Sequence, residues 1–146
     1  MKYDPIEEEK RWYFKGKSGK GESRPLPLRH HFAHNHVRSK LYDTLVDSGC
    51  HRTSSILEVG CGSGGDTTYT SKASDNIVGI DVSDVALRTF SNKGFQGILA
   101  DAKILPFHND SFNYVIASGL LHHLVGQGNL TEYLAEFARV TRRGGM

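Results

Sequence analysis

The sequence predicts an α/β fold, a parallel sheet with helices on both faces, and three observations carry that expectation. Short, continuous apolar runs recur between residues 55 and 118, as when helices cover both faces of each strand. Segments of helical periodicity separate those runs, which implies parallel pairing through right-handed crossovers. The first run, Ser55-Ile56-Leu57-Glu58-Val59, empties into the glycine-rich turn Gly60-Cys61-Gly62-Ser63-Gly64-Gly65. A loop that brings its backbone close to a ligand has no room for Cβ atoms.

Each element follows from the local pattern. Residues 15–27 are rich in Gly, Ser, Lys and Pro, the composition of a loop or linker. The aromatics before them, Trp12, Tyr13 and Phe14, are placed to fold back over a pocket. From His34 to Ser48, Val37, Leu41, Thr44 and Leu45 share one helical face, and Gly49 supplies a stop. Ile56–Val59 reads as a strand, and a helix follows the glycine turn over about Asp66–Ala73. Ile77–Val82 is the second strand. Ser83 is an N-cap for a helix to Asn92, with Val85, Ala86 and Phe90 inward and Gly94 at its end. Phe95–Ala100 and Phe112–Ser118 are the third and fourth strands. Leu130, Leu134, Phe137, Ala138 and Val140 mark a last amphipathic helix, closed by Gly144-Gly145. The organisation is therefore a basic arm and linker over residues 1–33 and one binding domain over residues 34–146.

The chain of 146 residues is long enough for a domain with its own core. Its net charge of +2 is unevenly spread: residues 1–40 hold ten Lys or Arg against five acids, leaving −3 for the rest. A basic arm on a slightly acidic body attracts anionic partners, nucleic acid among them; a solvated tail has the same composition. Two cysteines, Cys50 and Cys61, make no disulfide framework. No apolar run approaches the ~20 residues needed to cross a membrane, and the N-terminus lacks the apolar core of a signal peptide. A cytoplasmic protein without a membrane partner is expected. His30, His31, His34 and His36 have no acid or Cys cluster to complete a metal site, so no metal is expected.

In open parallel sheets, ligands lie beyond the carboxyl ends of the strands. Asp81 closes the second strand about 20 residues past the glycine turn, where an acid receives the ribose hydroxyls of an adenine nucleoside. The alternative is a helix N-terminal acid beside Ser83; ribose binding is the favoured role, because strand, glycine turn and acid occur together. Asp101-Ala102 closes the third strand; the carboxylate suits the exocyclic amine of adenine, and the Ala102 N–H a ring nitrogen. The glycine turn itself admits two ligands. Gly60, Gly62 and Gly65 fit the dinucleotide pattern G-x-G-x-x-G. Gly60, Gly62 and Gly64 after Glu58 fit an acid-x-G-x-G-x-G loop.

Four phrases in order, ILEVGCGSGG, IVGIDVS, ADAKILPFHNDSFNYVIASGLLHHL and LAEFARVTRRGG, resemble a class I S-adenosylmethionine (SAM)-dependent methyltransferase, of the type 11-like group. The resemblance covers about residues 55–145 and implies a Rossmann-like sheet and SAM as cofactor. Position by position, it implies that Glu58 and the backbone of Gly60, Cys61, Gly62 and Gly64 hold the methionine end. Asp81 would take the ribose, Val82 would pack on adenine, and Asp101 and Ala102 would read the adenine edge. Ser118 and Gly119 would line the methyl-transfer site. A general base is needed only for a weakly acidic acceptor; the candidates are His122 and His123, with His34 and His36 behind them.

Two departures from the family pattern stand out. Asn113 replaces the usual acid of the S-F-D triplet, a change expected to touch only a surface contact. Gly144-Gly145 leads only to Met146, where the resemblance implies a fifth strand, then two more and a helix, in the order 3-2-1-4-5-7-6. The sheet is thus expected to lack its C-terminal strands. The fourth strand is expected to be an open edge at Tyr114–Ala117 that invites self-association. Ala117-Ser118-Gly119-Leu120 lacks both the Asn/Asp-Pro-Pro-aromatic clamp of amine-directed nucleic-acid methyltransferases and a Pro-Cys pair. A small-molecule acceptor is therefore expected, with RNA as the alternative. A SAM-binding module without turnover and, less well matched, an NAD-dependent oxidoreductase are the other readings.

Overall fold

A computed structural model describes residues 28–124 and 130–146, apart from the side chains of 28–36 and 122–123. Along the chain come α1 (Leu28–Asp47), β1 (Ser55–Val59), α2 (Thr67–Thr70), β2 (Asn76–Asp81), α3 (Asp84–Asn92), β3 (Gln96–Leu99), β4 (Tyr114–Ile116), α4 (Leu121–Leu124) and α5 (Leu130–Val140). The four strands form one sheet in the order β3-β2-β1-β4, and every pair is parallel. The expected α/β class and the order of these four strands are thus met.

Alternation along the strands sorts side chains to the two faces. Ile56, Ile77, Tyr114 and Ile116 pack with Leu45 of α1 on one face. Leu57, Val59 and Ile80 pack with Tyr133 and Val140 of α5 on the other. All five residues of β1 are buried, because it lies between β2 and β4 with helices above and below. Phe90 of α3 lies on the sheet over Gly79 and its register partner Gly97. A Cβ on Gly79 would come 2.5 Å from Phe90 Cζ and 2.7 Å from Cys61 Sγ.

Several local expectations are corrected. α1 starts at Leu28, ahead of the expected start near His34. Its packed face is Leu41, Tyr42 and Leu45, while Val37 is 59% exposed and Thr44 is exposed; Arg38, not Val37, faces the glycine turn. The helix expected over Asp66–Ala73 is one turn, Thr67–Thr70. The hydroxyls of Thr68, Thr70 and Ser71 donate to the carbonyls of Gly64, Thr67 and Thr68 and so compete with helical bonds. In α3 the Ser83 cap holds, its Oγ accepting from the Ala86 N–H at 3.0 Å, but Leu87 is buried where Val85 was expected. In α5 Leu130, Tyr133, Phe137 and Val140 make the inward stripe, and Leu134 and Ala138 lie outside it.

β4 is shorter than expected, and Phe112 makes an isolated parallel bridge to Thr141 instead of continuing the strand. The edge at Tyr114–Ala117 is not wholly open. Met146 donates its N–H to the Asn113 carbonyl at 3.0 Å and accepts from the Val115 N–H at 2.8 Å. That is a parallel rung opposite Tyr114. Asn113 is also more than a surface contact, because its Oδ1 accepts from both the N–H (2.8 Å) and the hydroxyl (2.9 Å) of Ser55, tying the start of β4 to the start of β1. Among the described residues, no helix is long and apolar enough to cross a membrane.

Candidate functional site

The carboxyl ends of β1, β2 and β3 each deliver an acid or a turn to one end of the sheet. The glycine turn leaves β1 and immediately folds onto β2. The N–H groups of Gly60 and Cys61 both donate to the Ile80 carbonyl, at 2.9 and 3.0 Å. Gly62 N–H donates to Asp81 Oδ2 at 2.8 Å, and Gly64 N–H to the Cys61 carbonyl at 2.9 Å. Four amides of the turn are therefore spent inside the protein. Gly60, Gly62 and Gly64 all have positive φ, a conformation open to glycine at little cost. At Gly62 (φ +51) no atom lies within 4 Å of where a Cβ would stand, so this bend faces open space. At Gly60 the same position lies 3.0 Å from Leu120 Cδ1, so the segment after β4 closes over the start of the turn.

Asp81 takes the structural role at the start of α3 and also holds the glycine turn. Its Oδ2 holds the glycine turn, and its Oδ1 accepts from the Ser83 N–H at 2.9 Å, ahead of the α3 cap. Each carboxylate oxygen keeps further acceptor capacity. Val82, next along, is 50% exposed. Asp101, past the end of β3, is exposed, and its Oδ1 accepts from the Lys103 N–H at 2.9 Å. Ala102 behind it is buried in the core. Ser118 and Gly119 follow β4, Ser118 half-buried and Gly119 at φ +69.

Glu58 is 3% exposed at the carboxyl end of β1 and accepts from the Thr67 hydroxyl at 2.8 Å. Burial raises its carboxyl to about 7; the Thr67 bond works against that rise, Asp66 adds to it and Arg38 opposes it. Cys61 is also buried, its side chain turned onto Gly79 and Phe90. Burial, then the charges of Asp81 and Glu58, pushes its thiol well above the usual range, which leaves it a small packing group.

Three residues at this end of the sheet carry no mark in the sequence pattern. Thr67 partners Glu58 from the single turn of α2. Arg38 Nε donates to Asp66 Oδ1 at 2.7 Å, so α1 grips the far end of the glycine turn. Pairings that span 28 residues leave no local periodicity from which to read them. The backbone of His122 and His123 lies in α4, next to the end of β4; their side chains, those of His34 and His36, and the arm at Trp12–Phe14 lie outside the described residues. Among the described residues no cluster of three His, Cys, Asp or Glu side chains is placed to hold a metal.

Comparison with known proteins gives one consistent result. The family model described as "Methyltransferase domain" matches residues 56–145. Phthiotriol/phenolphthiotriol dimycocerosates methyltransferase of Mycobacterium leprae is 30% identical over 126 residues, 82% of this chain and 46% of the relative. A tRNA (carboxymethyluridine(34)-5-O)-methyltransferase of Arabidopsis thaliana is 32% identical over 91 residues, 62% of this chain and 22% of the relative. The chain thus spans less than half the length of either. The YcgJ protein of Bacillus subtilis has the same fold with a TM-score of 0.67, at 23% identity, over 76% of this chain and 48% of that one.

Proposed function

The chain belongs to the methyltransferase-domain family, and from that premise we propose that it binds SAM beyond the carboxyl ends of β1–β4 and serves transfer of its methyl group to a small-molecule acceptor. SAM is the cofactor of that family; bound here it would supply a methyl group whose bond to the sulfonium sulfur breaks as the acceptor bonds in line to the methyl carbon, leaving S-adenosylhomocysteine.

The observation that carries the reading is the inward use of the glycine-turn amides together with the three acids beside them. A pyrophosphate-binding turn aims its N–H groups and a helix N-terminus at the ligand. Here the N–H groups of Gly60, Cys61, Gly62 and Gly64 are spent on Ile80, Asp81 and Cys61, and the following helix is a single turn. What this end of the sheet offers instead is acceptors: Glu58, Asp81 and Asp101 at the ends of three adjacent strands. The methionine ammonium, the ribose hydroxyls and the adenine amine of SAM are all donors, so the donor and acceptor sets fit. Glu58 with the Gly60–Gly64 turn takes the methionine end, Asp81 the ribose, and Val82 the adenine face. Asp101 and Ala102 take the adenine edge. Cys61 serves through packing, its thiol facing the core.

Ser118 and Gly119 line the transfer site, where alignment and exclusion of water supply much of the rate. His122 and His123 on α4 are the general bases for an acceptor that must lose a proton. A second reading takes RNA as acceptor; the +5 charge of residues 1–40 favours it, and the Arabidopsis relative acts on tRNA by its name.

Calorimetric titration of the chain with SAM, S-adenosylhomocysteine and NAD tests the proposal. SAM and S-adenosylhomocysteine should bind in preference to NAD. Asp81→Ala should weaken them by about 1–3 kcal/mol, the range for donors left without a charged partner, with the circular dichroism of the fold retained. Tighter binding of NAD than of SAM would sink the assignment. Unfolding of the variant with no loss of affinity in the folded fraction would reduce Asp81 to its bonds with Gly62 and Ser83.

A further inference from the structure

The segment that carries Asp101 and Ala102 crosses from β3 to β4 without a regular element, over residues 100–113. Its backbone polar groups need partners, and α5 supplies several of them. Glu136 Oε2 accepts from the Leu105 N–H at 2.8 Å. Arg139 Nη2 donates to the Leu105 carbonyl at 3.0 Å, and its Nη1 to the Phe107 carbonyl at 2.7 Å. The two side chains also bind each other twice, Nε to Oε1 at 2.7 Å and Nη2 to Oε2 at 2.8 Å. The guanidinium fork thus pairs with a carboxylate along one edge and gathers carbonyls along the other. One turn earlier on the same helix, Glu132 Oε2 lies 3.6 Å from Lys103 Nζ. Lys103 is the residue whose N–H orients Asp101.

We infer that Glu136 and Arg139 are positioning residues for recognition of the adenine ring: they hold the Leu105–Phe107 backbone so that Asp101 and Ala102 meet one particular base edge. The inference rests on the cofactor reading above and goes beyond it, because neither side chain belongs to the set proposed to touch the cofactor. If the pair served stability alone, losing it would lower the folded fraction and scale every ligand's affinity equally. A positioning role changes the ratio between two ligands that differ only at the base edge.

The test is that ratio. The 146-residue chain is titrated with S-adenosylhomocysteine and with S-inosylhomocysteine, in which an oxo group replaces the adenine amine. The intact chain should prefer the adenosyl ligand by about tenfold or more, the worth of one charge-assisted hydrogen bond. In Arg139→Ala the preference should fall towards unity. Arg139→Lys keeps the charge but loses the fork, and should lose most of the preference too. Glu136→Gln still accepts from the Leu105 N–H and should recover part of it. Amide hydrogen exchange without ligand should quicken at Leu105 in the Arg139 variants and stay unchanged in β1 and β2. An unchanged ratio in Arg139→Lys overturns the inference even where the alanine variant does not fold. Failure of the intact chain to bind S-adenosylhomocysteine overturns the cofactor reading, and this inference with it. The two failures are therefore distinct.

Discussion

Glu58 is an acid almost wholly buried at the end of β1, with the hydroxyl of Thr67 as its side-chain partner among the described residues. Its carboxyl stands near 7 in the folded chain against an ordinary 4.5. Between those values the folded state binds more protons than the unfolded one, so stability falls as pH rises. The contribution is fully present below about 4.5 and gone above about 7, a span on the order of 3 kcal/mol. Glu136 works in the opposite sense, held at about 2 mainly by its bond to Arg139, so its contribution is lost as pH falls below the ordinary carboxylate value. The two windows do not overlap. Glu58→Gln keeps an acceptor for Thr67 and has no charge to bury. Urea unfolding at pH 5 and pH 8 should show a loss of stability in the parent chain that the variant lacks. Equal pH dependence in the two proteins would remove burial of Glu58 as its cause. By the same electrostatics, SAM binding below pH 7 should release a proton if Glu58 receives the ammonium, and the binding enthalpy should then vary with the ionisation enthalpy of the buffer.

At the scale of elements, α3 is fixed to the sheet by one large side chain meeting two glycines. Phe90 is fully buried over Gly79 and Gly97, with Cys61 of the glycine turn against it. The same contact therefore seats a helix, two strands and the binding turn. Gly79→Ala would put a Cβ 2.5 Å from Phe90 Cζ and 2.7 Å from Cys61 Sγ. Both are parts of a packed core, so relief requires movement of α3 or of the turn. The expected cost is about 1–3 kcal/mol, that of overpacking, with a further loss of SAM affinity because Cys61 sits between Gly60 and Gly62. Denaturation midpoints and calorimetry on the variant separate the two effects. An alanine variant as stable as the parent would show that α3 is not held by this contact.

Across the described residues, the four strands are parallel and β1 is covered on all sides, while β4 has β1 on one flank and residues 142–146 on the other. Arg142 N–H donates to the Phe112 carbonyl at 2.8 Å, and Met146 makes its rung opposite Tyr114. The last residues therefore pair backbone groups that the expected bare edge would have exposed. Removing residues 144–146 should unpair the Val115 N–H and the Asn113 carbonyl beside apolar side chains and promote strand-to-strand association. Light scattering after size exclusion should show a larger mass for the shortened chain than for the parent at the same concentration. An unchanged mass would mean that β4 is protected by something other than Met146.

The sequence by itself determined the α/β class and the position of the four strands. It also determined the Ser83 cap and the family, because continuous apolar runs, a capping hydroxyl and ordered motifs are local properties of the chain. It placed Glu58, Asp81 and Asp101 at strand ends for the same reason. Only the tertiary structure decided what those residues meet. Which stripe of α3 and α5 turns inward depends on the surface opposite, so Leu87 and Tyr133 replace Val85 and Leu134 in the core. Whether the glycine turn offers its amides to a ligand depends on Ile80 and Asp81 of another strand. The bonds of Glu136 and Arg139 to Leu105 cross more than 30 residues, and no periodicity records a contact over that distance. Packing and long-range hydrogen bonds are properties of pairs of segments, and the pairs exist only once the sheet has brought them together.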